Sequence, residues 1–356
     1  MTELGQWLDA PSLSAGAVIT AGLVDDGQLP DIDLRQTGLR IRPGGPGTVQ
    51  ELRIVLDAVN PTAVQEFWRT ALGYRTLGDH RLVDPLHRDP DLIIQPTDDV
   101  RPLRNRFHID VVRPAHVVEA VRNGRTPTGA WGVMLADLEG NELDLVPGAP
   151  LAADAEDWET LFTAMTFYPT ASAQQAIDLV TAVAELADAA GIPVGLDVRP
   201  EGVVIDHGKD LWEQAGEPFV ELATRIQAAA RARGLTAQKD QLRFVQLGID
   251  AVDVPAVQAF WTTTLGYTQE PQAGDSFDPR RLNPLLIFQQ LDATETERRR
   301  QRNRLRLELE VASDQFGARV EQALTAGGQV HAEQPDRCSI TDPEGNELDI
   351  IAAKPL

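Results

Sequence analysis

Residues 65–74 read QEFWRTALGY, and residues 258–267 read QAFWTTTLGY. Seven of these ten positions are identical. Residues 135–146 read LADLEGNELDLV and residues 340–351 read ITDPEGNELDII, with EGNELD repeated unbroken. Between these anchors, Asp84-Pro85 with Pro90 matches Asp278-Pro279 with Pro284, and Arg104-Asn105-Arg106 matches Arg302-Asn303-Arg304. Four matches in one order, offset by about 200 residues, identify residues 49–150 and 238–356 as two copies of one domain.

Each copy carries the same local signals. Leu52 to Asp57 alternates as a strand does. Asn60-Pro61 opens a helix that carries Val64, Phe67, Trp68 and Leu72 at helical spacing and stops at Gly73. After Arg106 the pattern restarts with strand 107–111, a helix at 116–121, strand 133–135, the turn at Glu139-Gly140-Asn141 and strand 143–146. A copy is therefore two β-α-β-β(-β) modules. The EGNELD turns need glycine for hairpin geometry, and the two tryptophans belong to the core.

The repetition extends upstream. Residues 172–190 form an amphipathic helix, the segments 196–199 and 203–205 a hairpin, and 218–233 a second helix. Residues 1–48 echo the first half of this: a helix at 14–24, then Asp33 and Gly38 at the spacing of Asp197 and Gly202, then Gly44-Gly45-Pro46-Gly47 leading into Val49. The first copy is shorter here by about 29 residues and lacks the second helix. Residues 1–48 are accordingly expected to pack against 151–237 rather than fold alone.

Composition narrows the functions. A chain of 356 residues with 42% hydrophobic and 24% charged residues is an ordinary globular protein. Its net charge of −22 disfavours nucleic acid and anionic membrane as partners. The basic run Arg298-Arg299-Arg300 with Arg302 and Arg304 reads as a solvated strip that offsets acidic neighbours. Cys338 is the only cysteine, so an intrachain disulfide is excluded and a buried, idle thiol is expected. Neither an 18-residue apolar run nor, at Met1-Thr2-Glu3-Leu4, the basic and apolar regions of a signal peptide is seen, and a cytoplasmic placement is expected.

These motifs resemble the vicinal-oxygen-chelate superfamily, which includes glyoxalase I, extradiol dioxygenases and the bleomycin- and fosfomycin-resistance proteins. Residues 151–237 are similar to pterin-4a-carbinolamine dehydratase, and 1–48 to a truncated half of that unit. The resemblance implies an α+β fold: two glyoxalase-like domains of paired βαβββ modules, with a dehydratase-like unit of helices on a small antiparallel sheet. It also implies a cupped sheet whose divalent metal takes ligands from the first strand, the strand opening the second module, and the last strand.

Carried over one position at a time, the first-strand site falls at Arg53 and Gln246, the second-module site at His108 and Arg306, and the last-strand site at Asp144 and Asp349. Asp110 and its counterpart Glu308 share a face with the second-module positions. Arginine offers no lone pair to a metal. If each cup draws its middle ligand from the other copy, one cup holds Gln246, His108 and Asp349, which suits a metal weakly. The other holds Arg53, Arg306 and Asp144, which suits none; its arginines would grip an anionic ligand or pair with carboxylates. A lone histidine on a strand face, as His108 is, is more often a hydrogen-bonded structural group than a ligand or base.

The dehydratase histidine pair is missing. Gln28-Leu29 precede Pro30 and Gly191-Ile192 precede Pro193, leaving His207 as the nearby imidazole. Dehydratase activity is not expected.

Metal-free binding of a small molecule, with no cofactor, is the favoured function. A vicinal-oxygen-chelate enzyme (lyase, isomerase or dioxygenase) with a divalent metal in one cup, and a structural or interaction protein, are the alternatives. The two glyoxalase-like copies are expected to form an intramolecular pseudo-dimer, and a homodimer stays open.

Overall fold

The computed structural model describes residues 4–43, 49–270 and 274–354. The Met1–Glu3 start and the Gly44–Gly47 connector lie outside them. The chain divides into two compact units: residues 1–49, 112–120 and 146–244, and residues 50–111, 121–145 and 245–356.

In the first unit an antiparallel sheet runs in the order Gln6–Asp9, Gly38–Arg42, Asp31–Arg35, Gly195–Arg199, Gly202–Asp206, Ala164–Pro169, Glu159–Thr160. Its centre joins the two related hairpins, with Asp33 opposite Asp197. Helices Leu13–Ala21, Ala173–Ala190 and Glu217–Arg231 supply Leu13, Ala17, Val180, Val183, Phe219 and Ile226 to the core beneath it. Burial alone would raise the Asp33 carboxyl, but Arg199, Arg40, Arg42 and Arg35 hold it well below the ordinary range.

Both glyoxalase-like copies contribute to the second unit, and they exchange modules. One sheet runs Gln329–Gln334, Arg337–Thr341, Glu347–Ala352, Leu305–Val311, Glu51–Ala58, Leu92–Pro96, Arg81–Val83, Arg75–Leu77. It combines the second module of the second copy with the first module of the first. The other runs Met134–Ala136, Glu142–Pro150, Phe107–Pro114, Phe244–Ala251, Leu286–Gln290, Ser276–Phe277, Thr268–Gln269, which is the converse combination.

Helices Pro61–Leu72 and Val254–Leu265 start at Asn60 and Asp253, whose side chains accept from the Ala63 and Ala256 amides, and end on left-handed Gly73 and Gly266. Trp68 and Trp261 are fully buried. Their indole N–H groups donate to Asp137 and Asp342, each at 3.0 Å.

Those two aspartates begin the repeated turns, and the turns do more than reverse the chain. Glu139 accepts from the Val59 and Asn60 amides, and Glu344 from those of Val252 and Asp253, so each turn caps a helix of its own copy. Gly140 and Gly345 have φ of 77° and 84°, a conformation glycine adopts without strain. Asn141 and Asn346 lock onto Asp137 and Asp342 and turn their oxygens toward arginines of the other copy.

The second-module strands cross at these arginines. Asn303 accepts from the Arg106 amide and Asn105 from the Arg304 amide. Arg106 donates to Asn346 and to the carbonyls of Arg298, Arg299, Gln301 and Gly345. Arg304 mirrors it on Asn141 and the carbonyls of Arg101, Leu103 and Gly140. Burial lowers both guanidinium pKa values, yet both keep carbonyl partners along their length.

The basic run is a solvated strip only at Arg299, Arg300 and Arg302. Arg298 is buried on Asp250 and the Asn105 carbonyl, and Arg304 lies in the crossing; Arg300 and Arg302 pair with Glu297 and Glu347 at the surface. Cys338 is buried, and burial raises its thiol pKa. No helix among the described residues is long and apolar enough to cross a membrane.

Removing either crossing guanidinium orphans several buried carbonyls. Arg106→Ala should lower the unfolding free energy by about 2–4 kcal/mol. Arg106→Lys should recover little of this, because an ammonium cannot reproduce the fork. Urea denaturation measures both.

Candidate functional site

The module exchange builds two related cups in the second unit, and their chemistry has diverged. In one, Phe107–Pro114 places His108 and Asp110 on a single face, because side chains of a strand alternate. Asp144 comes from Glu142–Pro150 and Gln246 from Phe244–Ala251. His108, Asp110 and Gln246 are buried, and Asp144 is half-buried. One ligand atom each from His108, Asp110 and Asp144 lies within 4.8 Å of the others.

Gln246 Nε2 donates to Asp110 Oδ2 at 2.7 Å, which orients the carboxylate. Asp110 Oδ1 faces His108 Nε2 at 3.4 Å and accepts no hydrogen bond; neither does Gln246 Oε1. Asp110 Oδ1 thus stands beside the imidazole with coordination capacity to spare, and Gln246 Oε1, on the side chain bonded to Asp110, is likewise unmet. Burial raises the pKa of Asp144, and the charge of Asp110 adds to the rise against the opposing pull of His108.

The imidazole has a made seat. A Cβ on Gly248 would collide with the His108 ring. At the matching position of the other copy stands Val55, which is buried.

In the second cup Arg306 takes the place of His108. It donates to Asp57 at 2.7 Å, to Gln95 at 2.6 Å and to Asp349 at 3.2 Å. Arg337 donates to Asp349 at 2.6 Å, and the Ser339 hydroxyl takes its other oxygen. Arg53 pairs with Glu308 at 3.3 Å and Glu310 at 2.5 Å. Burial alone would raise the Asp349 carboxyl, but Ser339, Arg337 and Arg306 together bring it below the ordinary value of 3.8.

The carry-over from sequence needs one correction. Asp349 does not join His108 and Gln246; it lies with Arg306. Asp144 does not join Arg53 and Arg306; it lies with His108. Middle and last positions come from one continuous module, whose strands are neighbours in one sheet (Leu305–Val311 with Glu347–Ala352, Phe107–Pro114 with Glu142–Pro150), and only the first strand comes from the other copy. The sequence marks Asp110 as a ligand-binding candidate on the His108 face but not as a metal ligand, and the structure puts it in one cluster with His108 and Asp144. Arg53 and Arg306 are neutralised by carboxylates, which leaves no free grip for an anion in that cup.

Residues 53–146 and 246–351, together more than half of the chain, match the model of a glyoxalase-like domain. The chain belongs to the glyoxalase-like domain family. Among solved structures, glyoxalase I from Zea mays is 9% identical, with a TM-score of 0.38 over 85% of this chain and 93% of that one. The cppA protein from Streptococcus pneumoniae is 10% identical, with a TM-score of 0.38 over 85% and 97%. A mutant fosfomycin resistance protein from Listeria monocytogenes, solved with Mn(II) and 1S,2S-dihydroxypropylphosphonic acid, is 10% identical, with a TM-score of 0.24 over 30% and 86%. None of the curated proteins matches the chain.

In the first unit the His207 ring stacks on Phe219 at 4.2 Å, and its Nδ1 lies 2.7 Å from the Pro193 carbonyl. It holds the start of a hairpin.

Two outcomes test this geometry. Gly248→Ala should displace the imidazole and cost about 1–3 kcal/mol in a denaturant melt. Asp349 has a folded pKa below its unfolded one, so its stabilisation is present above pH 3.8 and is lost as pH falls through the folded value. Asp349→Asn should therefore lower Tm at pH 7, and the difference from the native chain should shrink in melts below about pH 4.

Proposed function

We propose that the glyoxalase-like unit has one working cup, that Gln246, His108, Asp110 and Asp144 there hold a divalent cation, and that the chain acts on a small molecule presenting two adjacent oxygens. The observation that carries this is the pair of unsatisfied buried oxygens, Gln246 Oε1 and Asp110 Oδ1, beside an imidazole and a further carboxylate. Carboxylate, amide oxygen and imidazole are the hard and borderline donors that Mn²⁺, Fe²⁺, Ni²⁺ and Zn²⁺ accept. Bound there, the cation would polarise the two oxygens of the ligand as a Lewis acid.

The chain's own residues do the remaining work. Gln246 fixes the Asp110 carboxylate through its amide hydrogen. The bare backbone of Gly248 seats the His108 ring. Asp144 brings the second carboxylate of the cluster to the same point. Metal-free binding was favoured from sequence because a cup of Gln246, His108 and Asp349 suits a metal only weakly. With Asp144 in that place, and Asp110 added, the donor set becomes a chelating one. The Arg306 cup acts as scaffolding, since Arg306, Arg53 and their carboxylates are paired with one another, and in the first unit His207 is engaged with Pro193.

Elemental analysis of the purified chain after incubation with Zn²⁺, Mn²⁺, Fe²⁺ and Ni²⁺ tests the reading. One retained ion per chain is expected, lost in His108→Ala and Asp144→Asn and kept in Asp349→Asn. An ion that survives His108→Ala, or a chain that retains none, would overturn it.

A further inference from the structure

The walls beside the His108 cup are apolar, and their facing follows from register. Leu247 pairs with Leu286 and Gly248 with Ile287. Paired residues point to one face of a sheet, and alternate residues to opposite faces. Gly248 faces the His108 ring, so Ile287 stands on the cup side, whereas Leu286 and Leu247 are fully buried on the other. Leu285, two residues before Ile287, lies on the same face beside Gln246. Ser276 pairs with Leu286 and bonds Thr262 of the covering helix, so Phe277 points to the cup. Across the cup, Met134 stands directly opposite Asp144. All four apolar side chains are half-buried, with surface left to cover.

In the other cup two of the four positions keep apolar residues, Ile93 for Ile287 and Val83 for Phe277, and the other two differ. Asp91, bonded to Arg81, corresponds to Leu285, and Ser339, opposite Asp349, corresponds to Met134. Charge differs in the same sense. Among the described residues no guanidinium bonds Asp110 or Asp144. An anionic tail lying on these walls would find no guanidinium bonded beside Asp110 or Asp144, and only the more distant charge of Arg104.

We infer that the His108 cup selects small molecules whose two-oxygen head is joined to a neutral apolar body. That body lies on Leu285, Ile287, Phe277 and Met134, and ligands with an anionic tail are excluded. The inference rests on the His108 cup being the working, metal-holding site.

Hydroxamic acids supply a two-oxygen head with an interchangeable body. The Zn²⁺-loaded full chain is titrated by calorimetry with acetohydroxamic, benzohydroxamic and succinic monohydroxamic acids. Benzohydroxamic acid should bind roughly tenfold or more tighter than acetohydroxamic acid, and the succinic compound weakest. Leu285→Ser and Phe277→Ser should each narrow the first ratio and leave metal content and acetohydroxamic affinity unchanged. A metal-loaded chain that binds the first two acids equally, prefers the succinic one, or keeps its preference in both variants overturns this inference and leaves the metal site standing. A chain that takes up no metal overturns both.

Discussion

Two buried guanidiniums hold the glyoxalase-like unit in register. Arg106 and Arg304 each sit at the start of a second-module strand and reach into the turn of the opposite copy. A buried cation is tolerable only when its donors are all met. Here carbonyls and an asparagine oxygen from the other copy meet them, so neither copy can satisfy its own arginine alone. Module exchange is the consequence. Strand Leu305–Val311 must lie against Glu51–Ala58, and Phe107–Pro114 against Phe244–Ala251, for both arginines to be satisfied. The cups exist because of that pairing.

The same backbone then supports opposite electrostatics. Around Arg306 every carboxylate has a cation: Asp57 has Arg101 and Arg306, Asp349 has Arg306 and Arg337, Glu308 has Arg53. Around His108 two of these arginines are gone, while Arg298 still pairs with Asp250, the counterpart of Asp57. Gln246 replaces Arg53, His108 replaces Arg306, and the carboxylates at 110 and 144 remain. Two acids brought together under burial with one imidazole are unfavourable for the fold by themselves, as the raised pKa of Asp144 records. Such an arrangement does not stabilise the fold, and this is what supports the proposed metal site.

Most of the architecture was legible in the sequence because it is locally encoded. Asn60-Pro61 and Gly73 state where a helix begins and ends, and two copies of EGNELD state the repeat. Even the matched Arg-Asn-Arg triplets were visible, although their meaning was not: five arginines near 300 look like a solvated strip until the carbonyls they serve are known. The site was half legible. Spacing located each ligand position along its strand, but which last strand stands beside which middle strand is decided by sheet order, and spacing carries no record of it. Hence Asp349 was assigned to His108 when the continuous module delivers Asp144. Asp110 was recognisable as a neighbour and not as a donor, because its unsatisfied oxygen is a property of the packed cup.

The divergence of the two cups is coupled across several positions, and this argues against reading the Arg306 cup as a site one change away from activity. Placing a histidine at 306 would set an imidazole against Val55, which fills the space that Gly248 leaves open in the other cup. Asp349 would still be held by Arg337 and Ser339, and Arg53 would still offer a cation where Gln246 offers an amide. Removing Arg306 alone would also strip Asp57 and Asp349 of a shared partner, a loss that buried carboxylates tolerate badly. One cup has settled into an ion-paired brace, the other keeps Asp110 and Asp144 without an arginine partner among the described residues, and the duplication lets a single chain hold both.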